Sequence, residues 1–167
     1  DKVNPYRARV AIVGSEIDDP NLTKLIEGCG ALVVSDRFCF GSTPGREVIE
    51  LKDDEDALTQ ICLHVMEHSE CARYISDEKV LQRRVTSDRL AKEYKAEGII
   101  YEQMKYCDYW GFERALVSHV MHDEYGWPVL SIDRLYNNGN SGQLRTRVQA
   151  FVESLEIKRI HKEEGKK

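Results

Sequence analysis

Cysteine is the residue type in this sequence whose chemistry and placement together raise a functional question. The 167 residues include five cysteines, at positions 29, 39, 62, 71 and 107, an odd count with no CxxC pair. Cys39 and Cys107 each follow shortly after an apolar, strand-like run. Because a thiolate can attack a substrate or bind a soft metal centre, these two thiols are either functional groups or ordinary core residues.

A nucleophilic cysteine would need a nearby base, and histidine is the usual one. The five histidines, at positions 64, 68, 119, 122 and 161, all fall on predicted helices away from the strand ends. A Cys-His enzyme is therefore disfavoured. His64 and His68 have the spacing of a metal-binding pair, but they lie off the apolar stripe of their helix and outside any HExxH signature. Their pattern favours a solvated helix face.

The other three cysteines have structural explanations. Cys29 and Cys62 lie on the apolar faces of their predicted helices, where cysteine behaves as a small hydrophobic residue. Cys71 is near a helix end, and we expect it to be inert. An odd set of thiols without a regular framework indicates reduced cysteines in a reducing compartment.

Short apolar runs alternate with longer amphipathic stretches along the chain, a pattern typical of βαβ units and a parallel sheet. The predicted strands cover residues 9–15, 31–36, 98–103 and 129–133. The predicted helices cover residues 21–30, 56–74, 78–96, 112–126 and a last segment from Ser141 onwards, and residues 37–55 form a loop. The sequence therefore predicts the α/β class, as a three-layer α/β/α sandwich with a mostly parallel, flavodoxin-like or Rossmann-like open sheet.

The apolar stripes predict which helix faces pack on the sheet. They comprise Leu22, Leu25, Ile26 and Cys29 in the first helix, Ala57, Leu58, Ile61, Cys62, Val65 and Met66 in the second, Phe112, Leu116 and Val120 in the fourth, and Leu144, Val148, Phe151, Val152 and Leu155 in the last. The predicted helix N-caps are Asp19, Asp108 and Ser141.

Ligands of open parallel sheets bind beyond the carboxyl ends of the strands, which is where Cys39 and Cys107 are predicted to lie. The first such turn, "VGSEIDDP", has one glycine and the carboxylates of Glu16, Asp18 and Asp19, which would repel a pyrophosphate. Dinucleotide binding there is disfavoured. The segment 141–143 at the start of the last helix is a weak candidate for an anion site.

The net charge of −5, with basic residues spread along the chain, gives no reason to expect nucleic acid or an acidic membrane as a partner. No apolar run reaches the roughly 18 residues of a membrane span, and the first residues lack the apolar region of a signal peptide. These features predict a cytoplasmic location.

Three segments together carry a family resemblance: "RVAIVGSEIDDPNLTKLIEGCGALVVSDRFCFGS", "EGIIYEQMKYCDYWGFE" and "PVLSIDRLYNNGNSGQLRTRVQAFVESLEIKR". The sequence resembles the C-terminal half of the benzoyl-CoA reductase and 2-hydroxyacyl-CoA (2-hydroxyglutaryl-CoA) dehydratase subunit family. The resemblance implies that residues 1–167 form a single α/β domain, the C-terminal domain of a longer two-domain subunit. An isolated domain of this kind is expected to be inactive.

The resemblance also implies a cofactor and partners. Paired, related subunits of this family form a heterodimer that holds [4Fe–4S] clusters, and a separate ATP-dependent activator protein with its own iron–sulfur cluster supplies single electrons. These electrons pass to an acyl-CoA substrate at its thioester. Cys107 matches the family's cluster ligand in the "KYCD" segment, and Cys39 occupies a recurring cysteine position. The remaining ligands are expected outside these residues.

Several alternatives stay open at this point. Tyr106, Tyr109 and Trp110 around Cys107 would either cover a cluster or close the end of the core. The last helix looks closer to the reductase branch, but the resemblance does not fix reductase or dehydratase, and no catalytic residue is assigned. From another class, the chain could be a non-enzymatic flavodoxin-like binding module, or a thiol redox sensor that pairs Cys39 with Cys107.

Overall fold

The computed structural model describes residues 5–15, 18–39, 41–43, 46–136 and 142–165, which form an α/β fold. The strands are β1 (Ala8–Gly14), β2 (Ala31–Arg37), β3 (Gly98–Met104) and β4 (Val129–Arg134). The helices are α1 (Asn21–Glu27), α2 (Ala57–Glu67), α3 (Asp77–Glu93), α4 (Asp108–Asp123) and α5 (Gly142–Glu164). All strand pairs are parallel, in the order β2-β1-β3-β4. The predicted three-layer α/β/α sandwich is confirmed.

Strand β1 lies inside the sheet and is covered on both faces, which explains why its sequence is almost continuously apolar. Val10 and Ile12 contribute to the core on one face, and Ala11 and Val13 to the core on the other. This alternation follows from the two-residue period of a strand. The sheet therefore separates two apolar cores.

Helices α1 and α5 pack on the first face of the sheet. The predicted stripes of both helices are confirmed, and each of their members is buried: Leu22, Leu25, Ile26, Cys29, Leu144, Val148, Phe151, Val152 and Leu155. Cys29 is thus a core thiol, as predicted, and its burial raises the pKa of the thiol.

Helices α3 and α4 cover the second face. The predicted buried face of α4 is wrong: Phe112 is 72% exposed and Leu116 is 62% exposed. The residues that α4 does bury are Trp110, Glu113, Val117 and Met121. The helix is rotated because Trp110 enters the core and Glu113 forms a buried ion pair with Arg83 of α3.

Helix α2 departs furthest from expectation. It ends at Glu67 rather than near residue 74. Most of its predicted core stripe is exposed, including Leu58 at 69%, and Cys62 is exposed as well. Gln60 is the residue that α2 buries, and its side chain exchanges hydrogen bonds with the backbone of Lys52 and donates to the carbonyl of Glu55. A polar clamp to the preceding loop therefore anchors α2.

The predicted caps also change. Pro20 occupies the N-cap of α1, although the Asp19 carboxylate accepts a hydrogen bond from the Asn21 N–H at 2.9 Å. Cys107, not Asp108, is the N-cap of α4. The predicted cap at Ser141 lies outside the described residues. Within the described part of the chain, no helix combines the length and apolar character needed to cross a membrane.

Candidate functional site

The carboxyl ends of β1, β3 and β4 meet at a buried polar cluster of Ser15, Glu102 and Arg134. Glu102 accepts hydrogen bonds from Ser15 Oγ at 2.9 Å and from Arg134 Nε at 3.0 Å. Burial raises the pKa of the Glu102 carboxyl, while its two donors oppose that shift. The cluster fastens three strands together at the edge where ligands of such sheets bind.

The ends of β1 and β3, which are neighbours in the sheet, are in close backbone contact. A Cβ atom at Gly14 would lie 2.3 Å from the carbonyl oxygen of Glu102, so this position requires glycine. The Ser15 N–H also donates to the same carbonyl at 3.2 Å. This closed junction between β1 and β3 separates the end of β2, which Cys39 follows, from the turn after β3, which contains Cys107.

Cys107 lies on one side of the junction, in a tight turn after β3. The turn is closed by a hydrogen bond from the Cys107 N–H to the Met104 carbonyl at 3.0 Å, and it requires φ = 75° at Tyr106. A non-glycine residue in this left-handed conformation is uncommon and often marks a functional turn.

The thiol of Cys107 is half-buried at the N-cap of α4 and packs against the second core. Its side chain makes no capping hydrogen bond. The carbonyl of Cys107 accepts from Gln103 Nε2 at 3.3 Å, and Gln103 in turn accepts from Arg114 at 2.9 Å. Since the N-terminus of a helix stabilises negative charge, this location suits a thiolate ligand.

The aromatic residues around Cys107 divide into two groups. Trp110 is 3% exposed and belongs to the second core, whereas Tyr106 and Tyr109 are exposed. Trp110 therefore closes the end of the core. The two tyrosines are largely in contact with solvent.

Cys39 lies on the other side of the junction, beside a cavity of about 520 Å³ beyond the end of β2. The cavity is bounded by the loop after β2, the end of α2, α3 and Trp110. Cys39 and Cys71 both line it, while Cys107 does not. The structure thus brings Cys39 to the same cavity as a cysteine that the sequence reading set aside.

Arginine and glutamate side chains both line this cavity. Arg37 forms a buried ion pair with Glu70, and its guanidinium lies 5.8 Å from the ring centroid of Trp110. Burial lowers the pKa of Arg46, which donates to the Asp36 carbonyl. The buried donors Arg46 Nη1 and Trp110 Nε1 have no hydrogen-bond partner among the described residues.

Cys71 reaches the cavity because α2 ends early and Arg83 holds the segment that follows. Arg83 donates to the carbonyl of Tyr74 at 2.7 Å and to that of Cys71 at 3.5 Å. A hydrogen bond with Cys71 also raises the pKa of Arg73. The polar "HSE" segment before Cys71 is the sequence signal that could have indicated the helix end.

The structure thus defines an open, all-parallel α/β fold with a thiol, Cys107, in the turn after the third strand. Residues 1–155 match the family described as "2-hydroxyglutaryl-CoA dehydratase, D-component". The chain belongs to this family. The match confirms the family resemblance seen in the sequence.

Two curated relatives agree with this assignment. The chain is 26% identical over 152 residues to "Putative dehydratase subunit YjiM" of Escherichia coli (strain K12), with 89% of the chain and 38% of that protein covered. It is 28% identical over 148 residues to "(R)-phenyllactyl-CoA dehydratase beta subunit" of Clostridium sporogenes, with 88% and 38% covered. The chain therefore spans 38% of the length of each of these relatives.

Proposed function

We propose that this chain is part of an iron–sulfur subunit of a 2-hydroxyacyl-CoA dehydratase and helps to hold a [4Fe–4S] cluster through Cys107. The observation that carries the proposal is the position of Cys107, at the end of β3 and the N-terminus of α4, in a member of this family. The cluster would pass single electrons to an acyl-CoA thioester.

The donor set fits such a cluster as one part of its ligands. A [4Fe–4S] cluster takes up to four thiolates, and Cys107 would supply one of them. Cys39 remains a second candidate ligand, although it lines the cavity with Cys71. The other ligands would come from outside these residues.

Each part of the chain has a defined task under this proposal. The turn at Tyr106 and the hydrogen bond from Gln103 fix the position of Cys107, and Trp110 keeps water out of the core behind it. When bound, the cluster supplies single electrons, which make the loss of a poorly acidic β-proton from a 2-hydroxyacyl-CoA feasible. The chain's own residues hold the cluster ligand in place and exclude water from its surroundings.

Dehydration is favoured over reduction of an aromatic ring. Both curated relatives carry dehydratase names, and one of them names a 2-hydroxyacyl-CoA, (R)-phenyllactyl-CoA, as the compound on which that protein acts. These names outweigh the similarity of the last helix to the reductase branch. The substrate class that we propose is therefore a 2-hydroxyacyl-CoA.

We also propose two partner proteins. One is a related subunit that forms a heterodimer with this protein, which is supported by the subunit names of both relatives. The other is an ATP-dependent activator with its own iron–sulfur cluster, which a reaction driven by low-potential single electrons requires as its electron source.

The test is anaerobic purification of the intact protein with its partner subunit, followed by measurement of iron, sulfide and the electron paramagnetic resonance spectrum. Cys107→Ser should lower the iron content or change the spectrum of the cluster, and it should abolish turnover. Cys62→Ser, at an exposed cysteine on α2, is the matched control and should change neither.

The same measurements on Cys39→Ser decide whether Cys39 is a ligand. Unchanged iron, spectrum and turnover in Cys107→Ser would refute the ligand assignment. An iron-free protein after anaerobic purification would refute the whole proposal and favour a non-enzymatic binding module.

A further inference from the structure

We propose that Glu47, His64 and His68 form a binding site for a zinc ion that is distinct from Cys107, the main ligand of the proposed cluster, which does not line the same cavity. One ligand atom from each of these side chains lies within 4.8 Å of the other two. Two imidazoles and one carboxylate are a common protein ligand set for zinc, with a fourth position left for water or another ligand.

The two histidines are presented on the same face of α2. They are one turn apart at the end of the helix, where His68 is the C-cap residue, and their rings stack with centroids 4.1 Å apart. His64 is half-buried and His68 is 45% exposed, so both rings can be reached by an ion from solvent.

A backbone hydrogen bond orients the ring of His68. Its Nδ1 lies 2.9 Å from the carbonyl oxygen of His64, and a carbonyl can only accept, so Nδ1 carries the hydrogen. The opposite nitrogen, Nε2, is then the ligand atom. Metal-binding histidines are typically fixed in this way, with one nitrogen donating to a carbonyl and the other facing the ion.

Glu47 completes the site from the loop before α2. Its Oε2 lies 3.2 Å from Nε2 of His68. These two atoms are close enough for one cation to bind both. With zinc bonds of about 2.0–2.1 Å, a separation of 3.2 Å corresponds to an angle of about 100° at the metal, close to tetrahedral.

The ligand types select the class of metal. Magnesium and calcium prefer sites made of oxygen atoms, whereas two imidazoles and a carboxylate suit zinc and neighbouring transition metals. Glu47, His64 and His68 all line the 520 Å³ cavity, so the fourth position of the metal would open to it. A water molecule or a small anion is the ligand expected there.

A metal ion at this place would strengthen the attachment of the C-terminal end of α2, where His68 already contacts Glu47 and the Glu67 carbonyl accepts from Lys79 of α3. The helix buries only Gln60 and is held to the loop by that residue's hydrogen bonds. Zinc would link the same loop to the other end of the helix. The sequence pattern missed the site because Glu47 comes from a loop without periodicity, far from the HxxxH pair in the chain.

The experiment is a zinc titration of the intact protein after removal of loosely bound metals with a chelator, followed by calorimetry, with iron measured separately. We expect one zinc ion per chain, and replacement of zinc by Co²⁺ should give the intense visible bands of a four-coordinate site. The His64→Ala/His68→Ala variant should bind zinc at least about 100-fold more weakly, and Glu47→Gln should also bind more weakly.

His122→Ala is the matched control, because His122 is an exposed histidine beside a carboxylate on another helix and its loss should leave zinc affinity unchanged. All three proposed ligands are accessible side chains, so the variants should keep their circular dichroism spectrum. Absence of tight zinc binding, or equal binding by the double-histidine variant, would overturn the proposal. Iron content is expected to be the same in these variants, which separates this test from that of the cluster.

Discussion

Replacing Arg83 with methionine should destabilise the fold more than a change at any exposed ion pair. Arg83 is 2% exposed and binds Glu113 in two places, Nε to Oε1 at 3.0 Å and Nη2 to Oε2 at 2.8 Å. A third nitrogen, Nη1, donates to the carbonyl of Tyr74 at 2.7 Å. Methionine reproduces the aliphatic stem of arginine as far as the position of Nε, but it has none of these donors.

The magnitude follows from what the substitution leaves behind. Removing one partner of a buried ion pair costs about 3–5 kcal/mol of unfolding free energy, because the remaining charge of Glu113 stays buried without compensation. The lost hydrogen bond to Tyr74 adds about 1 kcal/mol. The total of about 4–6 kcal/mol is a large part of the roughly 5–15 kcal/mol that stabilises a typical domain.

The assay is equilibrium urea unfolding of the 167-residue chain, with Arg89→Met as the matched control. Arg89 lies on the same helix and pairs with Glu93 at 3.4 Å, but both side chains are exposed, so its loss should cost less than about 1 kcal/mol. The double change Arg83→Met/Glu113→Leu should recover much of the stability lost in Arg83→Met, since no buried charge is then left unpaired.

Two results would refute this reasoning. One is a loss in Arg83→Met no larger than in Arg89→Met. The other is a double variant as unstable as the sum of its two single variants, which would mean that the two side chains do not interact energetically.

Two further predictions concern the strand β3. Burial raises the pKa of Tyr101 to about 12, whereas the phenol of an unfolded chain ionises near 10. The free energy of unfolding should therefore fall by up to about 2.7 kcal/mol as the pH rises from 10 to 12. Urea unfolding of Tyr101→Phe across this pH range should not show this loss of stability. Gly98→Ala would place its Cβ 2.7 Å from Phe151 and should cost about 1–3 kcal/mol. Gly142→Ala, whose Cβ would have no atom of the described residues within 4 Å apart from its own chain neighbours and helix backbone, should not destabilise, and equal unfolding midpoints for the two variants would contradict this.

The sequence predicted best where a helix packs directly on the sheet. The stripes of α1 and α5 were correct in full because every apolar position on one face of each helix enters the same core. The spacing of apolar residues indicates that a helix is amphipathic, but it does not indicate which part of the protein covers the apolar face. The stripe of α2 is real, yet most of it faces solvent in the described structure.

Helix α4 shows a second limit. Its burial is decided by Trp110 and by the charged residue Glu113, which a hydrophobic pattern counts as surface. A buried carboxylate becomes predictable only if its partner is known, and Arg83 lies on another helix. The face of α4 that is buried therefore depends on a tertiary contact with another helix.

Some residues of the candidate sites could be placed from the sequence, and others could not. Cys39 and Cys107 were placed at strand ends correctly, since parallel strands bring their carboxyl ends to one edge. Cys71 was missed because α2 was predicted to continue past it. Glu47 was missed because a loop has no period from which a contact with His68 could be inferred.

The way in which α2 is attached has a consequence for the protein's motions. Amide hydrogens exchange with solvent through local opening, and the free energy of that opening reflects the buried contacts that must break. For α2 these contacts are few, so its amides should exchange well before those of β1 and β3, without global unfolding. Helix α2 and the loop clamped by Gln60 should therefore open as one cooperative unit while the sheet stays closed.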